Sequence, residues 1–559
     1  MLQRRRIAYK VKPMIFTLHR YIFRELMKIF ILSAVALTVM MSLGSILRPV
    51  QEFGVGPGQV IDLIGYFLPI TLTFVLPMAA LFAAALVYGR FAGDNELDAC
   101  RASGISLVVL VYPGFALAII VAIANLIFSF YVVPAFIQRA EKAVKADAKQ
   151  IIFRNIQRKG YYKVPDGKYI IYADNADLQN STISGVVIVE IKNEKIQKII
   201  TTENAKVEFD SHRKFNEVQI LAHNTYQMGS ADEGWFFFEW LPITAEFPPL
   251  MGDSIKFKKI DKMKEIMANP ISFSPIEKLA RETYVQFTAE LLAKDISVTM
   301  ENGQNRSLSP PTDSEDSDKF YKLYSGQRIV KFTAAQCSTE GEKKVGLSGD
   351  VEAIEYDSDS HEALRTIRCK KAMLLIDGDE FSPTLTMEFR GAAIWQPDGS
   401  ENLAGRIIIR GLILPKAIMD KLKTTDILKT VKPNAIFAAL GQEPSLQLKA
   451  LQQKLWYRIH RTQVEIGGEI NSRLVFGIGC LPMVLIGIGL GIIKKGGHLL
   501  TAFGASCVPA AVLVVCIMMG RNIIKNPQSH AGSGILLMWA GVMFLLLLTL
   551  IIYRKLLKS

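Results

Sequence analysis

The sequence predicts an α-helical transmembrane bundle of six spans, arranged as three plus three, with an inserted antiparallel β domain. Half of the 559 residues are hydrophobic and 21% are charged, with a mean hydropathy of +0.24. This balance is too apolar for a soluble protein and too charged for a chain lying wholly in lipid. Uncharged apolar stretches of about 20 residues or more, each enough to cross a bilayer, occupy residues 29–47, 63–89, 105–134, 474–493, 499–520 and 533–553.

Basic residues in the short loops predict the orientation, because Lys and Arg resist translocation and mark the cytoplasmic side. Residues 1–28 hold eight Lys or Arg against one Glu. Further basic residues follow the fourth and sixth stretches, at Lys494, Lys495, Arg554, Lys555 and Lys558. Both termini are therefore expected in the cytoplasm and the inserted domain outside, which is the periplasm if the cell is a Gram-negative bacterium. The net charge of +13 is then largely a topology signal, and nucleic acid is not an expected partner.

The N-terminal segment predicts an amphipathic helix on the inner leaflet. Apolar residues recur at helical spacing among the basic residues before residue 29. Because no small-residue cleavage site follows the first apolar stretch, we expect a retained span and no cleaved signal. The predicted organisation is an interfacial helix over 1–28 and spans one to three over 29–140.

A short charged loop between the second and third stretches is the most informative segment. It is acidic where the orientation predicts a basic loop. A helix over residues 94–103, starting at an Asp94 cap, would carry a mixed surface suited to docking a soluble partner. The candidate coupling residues are Asp94, Glu96, Leu97, Asp98 and Arg101. The alternative is a loop whose acidic residues have no function.

The inserted region predicts two β-rich blocks. Six short alternating segments separated by turns lie within 150–250, at 161–164, 169–172, 186–189, 197–200, 206–209 and 235–238. This pattern is typical of a sandwich, jellyroll or open barrel. A second β-rich block is predicted over 326–415. The sequence that begins at Ser184-Gly185 resembles the one that begins at Ser348-Gly349 in this block, so one module could be duplicated. The alternative is chance similarity, because β strands easily resemble one another. A helical and disordered linker over 270–325 is expected between the blocks. A helical return segment over 416–470 then leads to the last three spans, over 471–559.

The cysteines, and the absence of nucleotide-binding and metal-binding motifs, limit the chemistry expected of this chain. Of six cysteines, only Cys337 and Cys369 lie in the inserted region, where a disulfide is possible. The sequence lacks the Gly-x-x-x-x-Gly-Lys-Ser/Thr phosphate loop, the His-Glu-x-x-His zinc motif and paired cysteines at metal spacing. We therefore expect no cofactor, no metal and no ATP hydrolysis by this chain, so that energy must arrive by contact.

Three segments together resemble the lipopolysaccharide-export permease family LptF/LptG. They are the approach helix over 20–30, the charged loop from Gly89 to Gly104, and residues 460–473 leading into the fourth apolar stretch. The order of three spans, exported β domain and three spans matches as well. The resemblance covers residues 14 to about 290 and 455–559, and the second β block is a departure from it.

The resemblance implies a half-transporter of the inner membrane. Two related permeases would pair, bind a cytoplasmic ABC ATPase dimer, extract lipopolysaccharide, and pass it to a periplasmic bridge protein of jellyroll type. The acidic residue that contacts the ATPase in that family corresponds to Glu96. Arginines at the predicted outer ends of spans one, three and five are candidates for lipid phosphate contact, because Arg binds phosphate with two donors; these are Arg48, Arg139 and Arg521. Snorkelling to membrane lipids is the alternative for each.

Two other functions remain open at this point. An ABC permease for another amphiphile, such as lipoprotein, would share the ATPase, but such permeases usually resemble one span, a large exported domain and then three spans. The three spans predicted before residue 140 favour the lipopolysaccharide-export permease. A membrane-anchored periplasmic adaptor without a transport role would need neither an ATPase nor lipid contact.

Overall fold

The fold is that of a computed structural model, which divides the chain into two compact units. One unit comprises Met1–Met263 with Val464–Ser559, and the other comprises Lys264–Gln463. The structure describes residues 2–53, 57–146, 148–164, 169–192, 195–209, 217–228, 235–246, 254–306, 320–326, 328–339, 344–357, 362–377, 384–396, 400–424, 443–493, 499–526 and 530–558.

Six helices of the described residues are long and apolar enough to cross a membrane, which confirms the predicted bundle. The first and fourth extend well beyond their apolar stretches. Their bounds are α1 Leu2–Phe53, α2 Pro57–Gly93, α4 Leu107–Ile127, α10 Leu446–Ile493, α11 Leu499–Lys525 and α12 Ala531–Lys558. A π turn, Phe128–Val132, continues α4 into α5 (Val133–Ala146), and α3 (Glu96–Ala102) joins α2 to α4. The predicted interfacial helix is therefore the first part of α1 and not a separate element.

Glycines allow close approach in the core of the bundle. A Cβ at Gly491 of α10 would lie 2.8 Å from the backbone oxygen of Ala85 in α2. A Cβ at Gly520 of α11 would likewise lie 2.6 Å from the backbone oxygen of Gly534 in α12. Small residues at such positions let helices pack through their backbones, which is how helices associate where lipid removes the hydrophobic driving force.

The first β module is a seven-stranded antiparallel sheet with one helix packed in its core. Its elements are α6 Ala148–Lys159, β1 Tyr161–Lys163, β2 Tyr169–Tyr172, β3 Asn175–Asp177, β4 Thr182–Lys192, β5 Lys195–Phe209, β6 Glu217–Met228 and β7 Trp235–Glu246. The strand order is β1-β2-β4-β5-β6-β7, and β3 pairs with β4. Alternate strand residues such as Ile188 and Ile220 pack with Phe153 of α6, as expected for a sheet with one buried face.

The second unit contains another seven-stranded antiparallel sheet. Its elements are β8 Tyr321–Ser325, β9 Arg328–Thr333, β10 Gln336–Thr339, β11 Lys344–Asp357, β12 Ala363–Asp377, β13 Thr384–Trp395 and β14 Glu401–Ile413. Three further helices are α7 Ile260–Ala268, α8 Ser274–Arg306 and α9 Lys416–Thr424. Phe287 and Ile296 of α8 share a hydrophobic core with Phe332 and Phe389 of the sheet.

The two sheets have the same topology, which supports the predicted duplication. In the second sheet β8-β9-β11-β12-β13-β14 are neighbours in that order and β10 pairs with β11, so each strand corresponds to the one seven places earlier. Gly185 and Gly349 occupy the same place in β4 and β11, with φ of 62° and 74°, a conformation that glycine adopts without cost. The second sheet also joins β14 to β8, through Ile413 and Tyr324.

Some boundaries differ from the prediction. The segments predicted as strands at 197–200 and 206–209 form the single strand β5, because the intervening polar residues continue the pairing with β4 and β6. Thr202, in the middle of that stretch, is buried and donates a hydrogen bond to the His223 carbonyl. Strand β6 has no counterpart among the strands predicted from the sequence. Of the linker predicted as disordered, residues 301–306 belong to α8 and residues 307–319 lie outside the described residues.

Cys337 and Cys369 are free thiols in the structure. Cys337 lies in β10 opposite Leu347 of β11, whereas Cys369 lies in β12 opposite Val351 of β11. The two cysteines are therefore on strands that flank β11, about 10 Å apart across the sheet, and they are also offset along β11, so that their separation exceeds about 10 Å. A disulfide requires Cα atoms within about 7 Å, which explains why the possible bridge does not form.

Burial should make Cys337 a poor nucleophile. It raises the pKa of the Cys337 thiol to about 11, and the thiolate is the reactive form. In a variant that retains only this cysteine, we expect alkylation at pH 8 to be on the order of 100-fold slower than in unfolded chain, and to accelerate as the pH rises towards 11. Iodoacetamide labelling followed by mass spectrometry measures both rates. Equal rates in folded and unfolded protein would contradict the assigned burial.

Candidate coupling and lipid-contact sites

A left-handed turn separates α2 from the short helix α3. The backbone N–H of Asp94 donates to the Arg90 carbonyl at 2.8 Å, which ends α2, and Asn95 follows with a φ of 59°. Asn is one of the few residues that tolerate this conformation. The helix consequently begins at Glu96, two residues after the predicted Asp94 cap, and Asn95 occupies the cap position without a side-chain hydrogen bond.

One apolar side chain anchors α3 while its charged residues remain accessible. Leu97 is 3% exposed and belongs to the hydrophobic core of the bundle. Asp94, Glu96 and Arg101 are exposed, and Asp98 is half-buried. Of the five predicted coupling residues, four thus lie on or near the surface. Leu97 instead holds the helix in place and is not available to a partner.

The part of α1 around residues 21–28 packs against the end of α2, just before the turn that leads into α3. The Glu25 carboxylate accepts hydrogen bonds from Arg90 Nη2 at 3.2 Å and from Lys28 Nζ at 2.9 Å. Tyr21 stacks on Phe91 with ring centroids 5.8 Å apart. The Glu25–Arg90 pair was not predicted, although Glu25 is the only acidic residue before residue 52 and its isolation among basic residues indicates a specific partner.

The Glu25–Arg90 pair should make a measurable but modest contribution to stability. The Glu25 side chain is 15% exposed and that of Arg90 is 40% exposed, so solvent screens the pair in part. In a double-mutant cycle with Glu25→Gln and Arg90→Gln, we expect a coupling free energy of about 0.5–1 kcal/mol. Thermal unfolding of the four purified proteins in one detergent measures it. Strict additivity of the two single effects would argue against the pair.

The predicted lipid-contact arginines have different surroundings. Arg139 of α5 is exposed, with its guanidinium 5.3 Å from the centre of the Phe136 ring. Arg521 of α11 is 30% exposed and donates from Nη2 to Glu469 Oε2 at 2.9 Å. Arg48 lies within α1, and its side chain is outside what the structure describes. The exposed guanidinium of Arg139 can therefore bind an anionic ligand directly, whereas Arg521 would first have to release the carboxylate of Glu469.

Two buried polar side chains in the interior of the bundle are hydrogen-bonded to neighbouring helices. Asn125 of α4 donates to the Thr73 carbonyl at 3.2 Å and approaches Cys480 Sγ at 3.5 Å. Tyr88 donates to the Leu110 carbonyl at 2.9 Å and accepts from the Gly114 N–H. Within the described ranges, no three His, Cys, Asp or Glu side chains are grouped so that they could hold a metal ion.

Six apolar helices, a short charged helix between the second and third, and inserted β modules define a multi-pass membrane protein with large extramembrane domains. Residues 20–234 match the family described as lipopolysaccharide export system permease LptF/LptG. Over this part, which is less than half of its length, the chain is similar to the permeases of that family, and the six apolar helices described above are those of a multi-pass membrane protein. The match covers α3, the first three spans and β1 to β6. No curated protein matched the chain.

Proposed function

We propose that this chain is one permease subunit of an ABC transporter that extracts lipopolysaccharide from the inner membrane. In this proposal it pairs with a paralogous permease and receives its energy from a separate cytoplasmic ATPase dimer. Both termini and α3 face the cytoplasm, and the β modules face the periplasm, in accordance with the distribution of basic residues. The first β module passes the lipid to a periplasmic bridge protein of jellyroll type.

The single observation that carries the proposal is the construction of α3. It joins two spans, it is fixed to the bundle core by Leu97, and it exposes Glu96 and Arg101. A short helix held in this way cannot move without α2 and α4. A partner that binds its charged face can therefore move two spans together, which is what a transporter without its own nucleotide site requires.

Lipid binding is assigned to the outer ends of the spans. Arg139 is exposed and Arg521 is partly exposed, and a guanidinium can bind a phosphate through two parallel hydrogen bonds. Arg48 is included by its predicted position at the end of the first apolar stretch. Membrane phospholipids present the same chemistry as a lipid A phosphate, so the test must distinguish the two.

The test is copurification and lipid crosslinking from a Gram-negative host. The chain is purified in mild detergent, and its partners are identified by mass spectrometry. A photo-crosslinking residue at position 139 is compared with one at Glu203, an exposed position in β5. We expect an ATPase, a second permease, and capture of lipopolysaccharide at 139 that exceeds capture at 203. Capture of phospholipid alone at 139, or purification without any ATPase, would overturn the assignment.

A further inference from the structure

A buried arginine in the fourth spanning helix holds the segment by which the chain leaves the first β module. Arg473 of α10 is 4% exposed in its side chain. Its Nη2 donates to the Lys256 carbonyl at 2.8 Å, and its Nη1 donates to the Lys258 carbonyl at 3.3 Å. The guanidinium also lies 5.4 Å from the centre of the Phe130 ring, in the π turn of the third span. One side chain thus contacts two spans and the exit segment.

The exit segment is built to present those carbonyls. Residues 254–258 form a 3-10 turn, in which the N–H of Phe257 donates to the Ser254 carbonyl at 3.1 Å and the N–H of Lys258 donates to the Ile255 carbonyl at 3.0 Å. Ile255 is 4% exposed, and its buried side chain holds the turn in place. With its N–H groups used inside the turn, the segment offers outward carbonyl oxygens, for which the planar five-donor fork of Arg is well suited.

A shared carboxylate links this arginine to the fifth span. Glu469, one turn before Arg473 on α10, accepts from Arg473 Nε at 3.0 Å through one oxygen and from Arg521 Nη2 at 2.9 Å through the other. A carboxylate that serves two arginines holds both side chains in fixed positions. We call Arg473, Glu469, Arg521 and residues 254–258 the anchored junction.

A cleft borders the anchored junction. This cleft, of about 80 Å³, has Lys256, Glu469, Arg521 and Lys525 in its lining. Burial, followed by the positive charge of Arg521, lowers the pKa of Lys256. The lining holds three basic side chains, Lys256, Arg521 and Lys525, against the two carboxylates of Glu465 and Glu469. Arg521 is 30% exposed, whereas Arg473 is 4% exposed. An anion entering the cleft would therefore meet Arg521 first and leave Arg473 on its carbonyls.

We propose that Arg473 is a positioning residue that couples the fourth and fifth spans to the first β module through the anchored junction. A shift of α10 or α11 pulls on Glu469 and Arg473 and thereby moves the exit segment. An anionic headgroup that binds Arg521 weakens the ion pair between Arg521 and Glu469, and thereby also changes how Glu469 holds Arg473. The anchoring is independent of any cargo, but its purpose in passing lipid from the spans to the β module rests on the proposed function.

The first test measures the anchoring directly, by hydrogen exchange of the purified full complex. Arg473→Lys keeps the charge but loses the fork, and we expect the N–H groups of Phe257 and Lys258 to exchange at least about tenfold faster, since hydrogen bonds from charged donors are each worth about 1.5–3 kcal/mol. The matched control is Lys256→Gln. It changes the side chain of the segment but retains its carbonyl, so exchange should remain as in the unmodified protein.

A second variant covers the case in which Arg473→Lys does not fold. Glu469→Gln keeps the shape of the side chain and removes the charge that orients both arginines, so it should accelerate the same N–H groups by a smaller factor. Unchanged exchange in every folded variant of the two overturns the proposal. Equal acceleration in the Lys256→Gln control also overturns it, because the effect would then follow any change in the segment.

The last measurement separates coupling from a purely structural role. We expect Arg473→Lys to retain ATPase association and basal ATP hydrolysis while lipid transfer to the bridge protein falls at least about fivefold. Equal loss of hydrolysis and transfer would indicate general destabilisation and overturn the coupling role. A chain that shows the exchange effect but transfers no lipopolysaccharide in any form would refute the proposed function and leave the anchoring intact.

Discussion

Glu96→Lys should remove most of the copurifying ATPase while the permease still inserts into the membrane. Glu96 is exposed at the start of α3 and makes no contribution to the bundle core. In the proposed complex Glu96 meets a basic surface of the ATPase, so that reversing its charge would make the contact repulsive, and close interfacial charge pairs are worth at least about 1.5 kcal/mol. We therefore expect at least a tenfold loss of ATPase recovered per permease.

The controls for this substitution are at neighbouring positions. Glu96→Gln removes the charge without reversing it, and should give an intermediate loss. Ser103→Lys adds a positive charge just beyond α3, where Ser103 is exposed, and should reduce recovery much less. The measurement is quantitative mass spectrometry of the tagged permease, with membrane content checked by blotting. ATPase recovery by Glu96→Lys that equals the unmodified protein would remove the coupling assignment.

Leu97→Asp should have an equally large effect for a different reason. Leu97 is 3% exposed in the bundle core, and removing a buried Leu costs about 2–5 kcal/mol. A carboxylate in its place adds a desolvation penalty of several kcal/mol, which exceeds what a seven-residue helix can supply. We expect α3 to leave the bundle, and ATPase recovery to fall at least tenfold although every charged residue of the helix is still present.

Leu97→Met is the matched control, because volume-conserving apolar exchanges cost less than about 1.5 kcal/mol. Hydrogen exchange over residues 94–106 measures the detachment, and copurification measures the consequence. If Leu97→Asp bound the ATPase normally, the charged face of α3 would act without its anchor, and the mechanical part of the proposed function would be lost.

Much of the architecture could be read from the sequence because the signals are local. Uncharged stretches of membrane-spanning length need no tertiary information, and all six correspond to helices of the structure. The short helix between spans two and three was also foreseen, although its start was misplaced from Glu96 to Asp94. The left-handed turn at Asn95 causes this difference, and Asn at such a position is permitted but not required.

The strand boundaries within the first sheet were harder to predict from the sequence. Strand β6 was missed, and β5 was divided in two at Thr202, because a polar residue in the middle of a strand reads as a turn. The Thr202 hydroxyl donates to the carbonyl of His223 in β6, which only the folded sheet brings near. The duplication could be suspected from Ser184-Gly185 and Ser348-Gly349, but the identical strand order is a property of the folded modules.

The sequence by itself determined which segments lie in lipid, where the chain turns with a charged surface, and that two similar β blocks are inserted, since these follow from hydropathy, charge and local periodicity. Tertiary structure alone decided the partners: Glu25 with Arg90, Leu97 within the bundle, and Arg473 on the carbonyls of Lys256 and Lys258. Those contacts join residues 65 to 217 positions apart. No local pattern encodes such pairs, because they depend on how separate helices pack.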